Sequence, residues 1–242
     1  VAPDVRPLTS QSACLLSLTS EALTKVLMDK LSKLEFFFSR LSSISSHSAF
    51  FLLRASLSIP RLTYFLRCFP SWHESSLLVK YDLLLKTGLE TILNCSLNDD
   101  SWMQASLPVK LGGLGIRRAM DMTIPSFLAS YHGSLRLIED LLSQDYNLDP
   151  DGSVLEGVKK WSGSVDTNLA EHNNRSFQSL WYTPIASHWH KILVQSAVVP
   201  DEKAWLLAAS SPEAGAWLNA IPSPHLGLHM SNETSESLLL YG

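Results

Sequence analysis

Trp102-Met-Gln-Ala-Ser-Leu-Pro-Val-Lys-Leu-Gly-Gly-Leu-Gly-Ile-Arg-Arg118 is the one stretch in which a proline and three glycines, Pro108, Gly112, Gly113 and Gly115, so densely interrupt otherwise helical text. Before it the chain reads as long amphipathic helices with a slightly basic balance. After it the helices read as shorter and acidic. The predicted fold class is therefore all-α: an array of amphipathic helices with a glycine-rich joint and no significant sheet. No β-alternating segment of useful length and no repeat at a fixed period is present, and Val and Ile are scarce beside Leu, Ala and Ser.

Working outward, the apolar residues upstream fall at helical spacing. Leu23, Leu27, Leu31, Leu34, Phe38 and Leu41 form a narrow seam from Glu21 to about Ile44. A helix from His47 to Ser58 meets Pro60, a short one covers 61–68, and a longer one runs from Trp72 to Leu93. The last should bury Leu77 or Leu78, Tyr81, Leu85, Leu89, and Ile92 or Leu93. Asn98-Asp99-Asp100-Ser101 is a natural cap for a helix reaching Ser106. Helix restarts at Arg117, with Pro125 expected to kink or break it. Gln144 to Ser153 is the clearest linker, dense in turn formers and acids. Helices are expected at 153–161, 165–173, 185–197, 200–209 and 212–220. The organisation predicted is a basic helical region over 1–143, a linker over 144–153 and an acidic helical region over 154–242.

Composition narrows the function. The 242 residues are 45% hydrophobic and only 17% charged, enough for a sizeable core and unlike a disordered tail. Three distant cysteines, Cys14, Cys68 and Cys95, fit neither a disulfide framework nor a zinc ribbon. They suggest a reducing intracellular compartment, nucleus or cytoplasm. Val1 to Thr9 contain Pro3, Asp4, Arg6 and Pro7 and do not read as a signal peptide. No apolar run reaches the roughly 20 residues of a membrane span. With no initiator Met, the chain is expected to begin partway through a longer protein. The net charge of −4 is uneven: residues 46–118 carry eight Lys+Arg against five Asp+Glu, and residues 119–242 carry six against fourteen. A nucleic-acid surface therefore belongs in the first half.

The motifs exclude more than they assert. The glycine turn follows no strand, and Lys110 precedes the glycines, so it is not a phosphate-binding P-loop. Asp99-Asp100 sits between helices, where capping fits better than a metal-holding pair. His188 and His190 are two apart on a helix and face different ways, so no metal site is assigned. Trp181, Trp189, Trp205 and Trp217 read as core anchors. No nucleophile elbow appears, and no residue is given a catalytic role. The basic set Arg54, Arg61, Arg67, Lys110, Arg117 and Arg118 is the candidate ligand surface, through phosphate contacts. Pro108, Gly112, Gly113 and Gly115 form the structural joint.

Trp102, Leu107-Pro108, Lys110 and Gly112-Gly113-Leu114-Gly115-Ile116-Arg117 resemble a stretch found downstream of the polymerase palm in reverse transcriptases of non-LTR (LINE-type) retrotransposons. Two further pieces agree in order. They are Leu52-Leu53-Arg54 through Ile59-Pro60-Arg61 to Pro70, and Ala214-Gly215-Ala216-Trp217 to Pro222. The resemblance spans most of 20–228 and implies a helical thumb and connector that holds an RNA/DNA template–primer by its backbone. The catalytic aspartates and their Mg²⁺ would lie in an upstream palm that this chain lacks, and a downstream Cys/His-rich segment is lacking too. The resemblance thus implies a non-catalytic part of an RNA-directed DNA polymerase or a degenerate remnant of one. A helical protein-interaction module is the alternative.

Overall fold

The computed structural model describes residues 20–141, 150–165 and 175–241. Among them the fold is all-α, with no strand. The helices are α1 (Ser20–Leu41), α2 (Ser46–Leu52), α3 (Thr63–Cys68), α4 (Ser75–Leu93), α5 (Asp99–Ser106), α6 (Ala119–Leu141), α7 (Gly152–Ser164), α8 (Gln178–Ser196), α9 (Pro200–Ala209) and α10 (Asn232–Tyr241). None is long and apolar enough to cross a membrane.

The leucine seam buries as its spacing demands. Leu23, Leu27, Leu31, Leu34 and Leu41 line one face of α1, which lies along α4. On α4, Leu77, Leu78, Tyr81, Leu85, Leu89, Ile92 and Leu93 are all buried, and Gly88 lets the Phe38 ring lie against the helix. Asn98 caps α5 as its residue type predicts: its side-chain oxygen accepts the Ser101 N–H at 2.7 Å. Asp99 and Asp100 fill the first turn, and Asp99 pairs with Lys86 at 3.4 Å.

α2 does not run on to Ser58. At Leu53 it opens into a π-helical turn, Leu53–Leu57, closed by the Ser58 N–H on the Leu53 carbonyl at 2.9 Å. Pro60 next supplies no N–H, and the buried Tyr81 hydroxyl instead approaches the carbonyls of Leu57 and Ser58 at 3.3 and 3.1 Å.

Three other expectations differ. α6 runs unbroken through Pro125, and α8 starts at Gln178 and runs through Pro184. An interior proline costs about 3 kcal/mol. The packing of α6 on α3, α4, α7 and α8 outweighs it, and Pro125 is itself buried. The helix expected at 212–220 is replaced by turns and a 3-10 segment, Ala216–Asn219. Glu213 has φ +67°, and Gly215 presses so closely on Val109 that a side chain would collide. α10 was not anticipated, since its apolar residues come only in its last turns. The helix expected at 165–173 and most of the 144–153 linker lie outside the described residues.

The core does not divide at the change of charge. One cluster joins Leu23 through Met122 of the basic region to Tyr182, Ala186, Leu193, Leu206, Leu218 and Leu239 of the acidic one. A smaller cluster packs Trp72, Phe127 and Leu128 with Trp161 and Trp181, whose rings meet edge to face at 5.3 Å. Trp189 and Trp217 pack against the main cluster, but Trp205 does not anchor it and is 37% exposed. Cys68 and Cys95 are free thiols.

Candidate functional site

The joint is a compact loop built by its own backbone. Leu107 ends α5 in extended conformation, and Val109–Leu111 make one 3-10 turn. Gly112 and Gly115 then take φ of +75° and +78°, a left-handed conformation that strains any residue with a Cβ. The chain folds back on α5: the N–H groups of Leu114 and Ile116 both donate to the Ala105 carbonyl, and that of Gly115 donates to Leu107. Gly113 is needed for closeness, because a Cβ there would overlap the Leu107 carbonyl group. Gly112 rests against Ala209 and Ser210 at the end of α9.

Beyond the loop, α6 begins on a cap from another helix. Asp82 of α4 is buried, and its two carboxylate oxygens accept the N–H groups of Ala119 and Met120 at 2.5 and 3.2 Å. Burial pushes its carboxyl up to about 7, against the pull of these two N–H groups. The helix dipole also favours negative charge there.

Arg117 and Arg118, just before that cap, diverge. The Arg117 guanidinium lies over the Tyr182 ring at 4.9 Å and is exposed. The Arg118 guanidinium lies over the Trp189 ring at 4.6 Å, and its Nε donates to Asp121 at 2.7 Å. Tyr182 and Trp189 are seven residues apart on α8, two turns along one face. Burial pushes the Tyr182 hydroxyl up to about 12.

Between the π-turn, the joint and the first turns of α8 lies a cleft of about 670 Å³. Of the six basic candidates, the structure brings together Arg54, Lys110 and Arg117 in its lining. Arg54 is half-buried; its two terminal nitrogens donate to the Leu218 carbonyl and to Asn219 Oδ1, both at 2.5 Å. Burial, and then the nearby Arg117 charge, pull its pKa below the ordinary value. Gly115 matters here too: its missing Cβ leaves room for Arg54, whose Nε would sit 3.2 Å from such an atom. The other three stand elsewhere. Arg61 covers the Phe37 ring at 4.4 Å, Arg118 is locked on Asp121, and Arg67 is exposed on α3 outside the cleft.

The remaining lining includes Thr63, Ser179, Thr183 and Asn219 and, among the described residues, contains no carboxylate. An anion entering meets three positive groups and neutral donors. The contribution of α8 was not legible, because charge patterning pointed only to the first half. Tyr182, one residue after a buried Trp, carries no signal in sequence that sets it under an arginine.

Comparison with family models, curated proteins and solved structures finds no match to this chain.

Proposed function

We propose that this chain is a non-catalytic helical segment of a retrotransposon-type RNA-directed DNA polymerase, of the thumb and connector kind, that holds an RNA/DNA template–primer through its phosphate backbone. The observation that carries the reading is the cleft whose lining holds Lys110, Arg117 and Arg54 and, among the described residues, no carboxylate. Such contacts position a nucleic acid and read no bases. Its partner would be a polymerase palm bearing the catalytic aspartates and Mg²⁺. The adjacent pair in this chain, Asp99-Asp100, does not suit that metal role, since it opens a helix and Asp99 is engaged by Lys86.

The test is binding of labelled RNA–DNA hybrids of unrelated sequence. Affinity that is independent of sequence and falls steeply with added salt is the expected result. Absence of binding at low salt would overturn the reading.

A second reading, a helical module that docks proteins, is favoured by one observation. Val198, Ile221 and Leu226 of the acidic half are 91%, 65% and 74% exposed. It becomes the better reading if hybrid binding is absent.

A further inference from the structure

We propose that the cleft takes the unpaired strand beside a duplex, seating one of its phosphates between Lys110 and Arg117. This deepens the reading above and rests on it.

Size speaks first. The cleft, at about 670 Å³, falls in the range of small-molecule sites, about 300–1,000 Å³. That space admits a sugar–phosphate and its base, and not the body of a double helix.

The distribution of charge agrees. A duplex is followed by a basic track that meets both strands. Here Arg61 and Arg67 stand outside the cleft and Arg118 is paired with Asp121, so the positive charge of the cleft comes from Arg54, Lys110 and Arg117. Arg54 forms the back wall, held by Leu218 and Asn219. It contributes charge there while its two terminal nitrogens are engaged. Lys110 and Arg117 are exposed at the cleft and able to reach a phosphate. Arg117 already rests over the Tyr182 ring, which limits the freedom it would lose on binding.

The neutral lining completes the picture. Gln178 and Ser179 belong to the first turn of α8, at the positive end of its dipole, which favours an anion. Ser179 and Thr183 line the same space and suit sugar hydroxyls.

The experiment compares three probes on the 242-residue chain at low salt: a blunt RNA–DNA hybrid, the same hybrid with a single-stranded overhang, and the single strand alone. Polyglutamate serves as a non-nucleic polyanion. The overhang hybrid should bind at least tenfold more tightly than the blunt one. Lys110→Glu with Arg117→Glu should abolish that difference, and Lys203→Glu, on exposed α9, should preserve it. The neutral pair Lys110→Gln and Arg117→Gln, with unchanged melting, should weaken overhang binding as well.

Equal affinity for blunt and overhang hybrids overturns the inference and leaves the template–primer reading standing. So does an overhang preference that survives both charge reversals. Polyglutamate binding as tight as the single strand overturns it in favour of an acidic protein ligand. Binding of none of the nucleic acids overturns the inference and the reading together.

Discussion

The carboxylate of Asp82 on α4 receives the backbone N–H of Ala119, 37 residues further along the chain. The first turn of α6 is thereby capped from a neighbouring helix, directly after the two arginines that diverge over α8.

The burial of that carboxyl makes stability depend on pH. In the unfolded chain the Asp82 carboxyl titrates near its ordinary value of about 3.9. In the fold burial raises it to about 7. Between those values the folded state holds the extra proton, so stability is fully present at the acid end and is lost as pH rises through 7. Thermal unfolding should show that loss, and Asp82→Asn, which keeps an acceptor without a charge, should flatten it. Asp82→Ala, leaving two buried N–H groups without an acceptor, should cost about 1–3 kcal/mol at any pH.

The C-terminal helix is held with the opposite sign. His47 Nδ1 accepts the Met230 N–H at 3.2 Å, and the His229 ring lies 5.9 Å away. Burial, then the His229 charge, lower the His47 pKa. A base with a depressed folded pKa stabilises above its unfolded value of about 6.5 and loses that contribution as pH falls through the folded one. Hydrogen-exchange protection in α10 should therefore fall on acidification before protection in α4 does. His47→Gln should remove that dependence.

Glycine substitutions should separate the joint from the surface. Gly113→Ala collides with the backbone of Leu107, which cannot swing aside, and should cost at least about 1–3 kcal/mol. Gly163→Ala in α7 meets nothing within 4 Å and should stabilise by about 0.4–1 kcal/mol. Chemical denaturation of both variants measures the contrast. A Gly113→Ala protein as stable as the parent would contradict the close approach described for the joint.

Arginines of equal formal charge should behave unequally. Arg54→Ala removes two hydrogen bonds to the Ala216–Asn219 segment and should destabilise by about 1.5–3 kcal/mol. Arg67→Ala, exposed on α3, should stay within about 0.5 kcal/mol of the parent. Denaturant midpoints of the two variants give the comparison.

How far the sequence carried can be read residue by residue. Leucine spacing is enough to place α1 and α4, because the same period that makes a helix amphipathic also decides its buried face. Asn98 is legible because a cap acts on its own next turn. Pro125 and Pro184 misled, since the packing that carries a helix through a proline comes from distant elements. Gly215 misled for a related reason: it answers to Val109, about a hundred residues upstream. In the cleft, the positive charge was legible from residue type, but which arginines are free was not. That depends on Phe37, Asp121, Leu218 and Asn219, each a partner supplied by the fold. Asp82 shares its helix with one other acid, Glu90, and nothing local marks it as a cap.

The shared core has a consequence for anyone who would cut the molecule. Tyr182, Ala186, Leu193 and Leu218 close the same apolar interior that Leu53, Leu62 and Met122 begin. A truncation between α6 and α7 would not release two proteins. It would leave a basic piece with an open hydrophobic wound and an acidic piece with no floor. Only when made together in one cell should such halves recover a folded, soluble product.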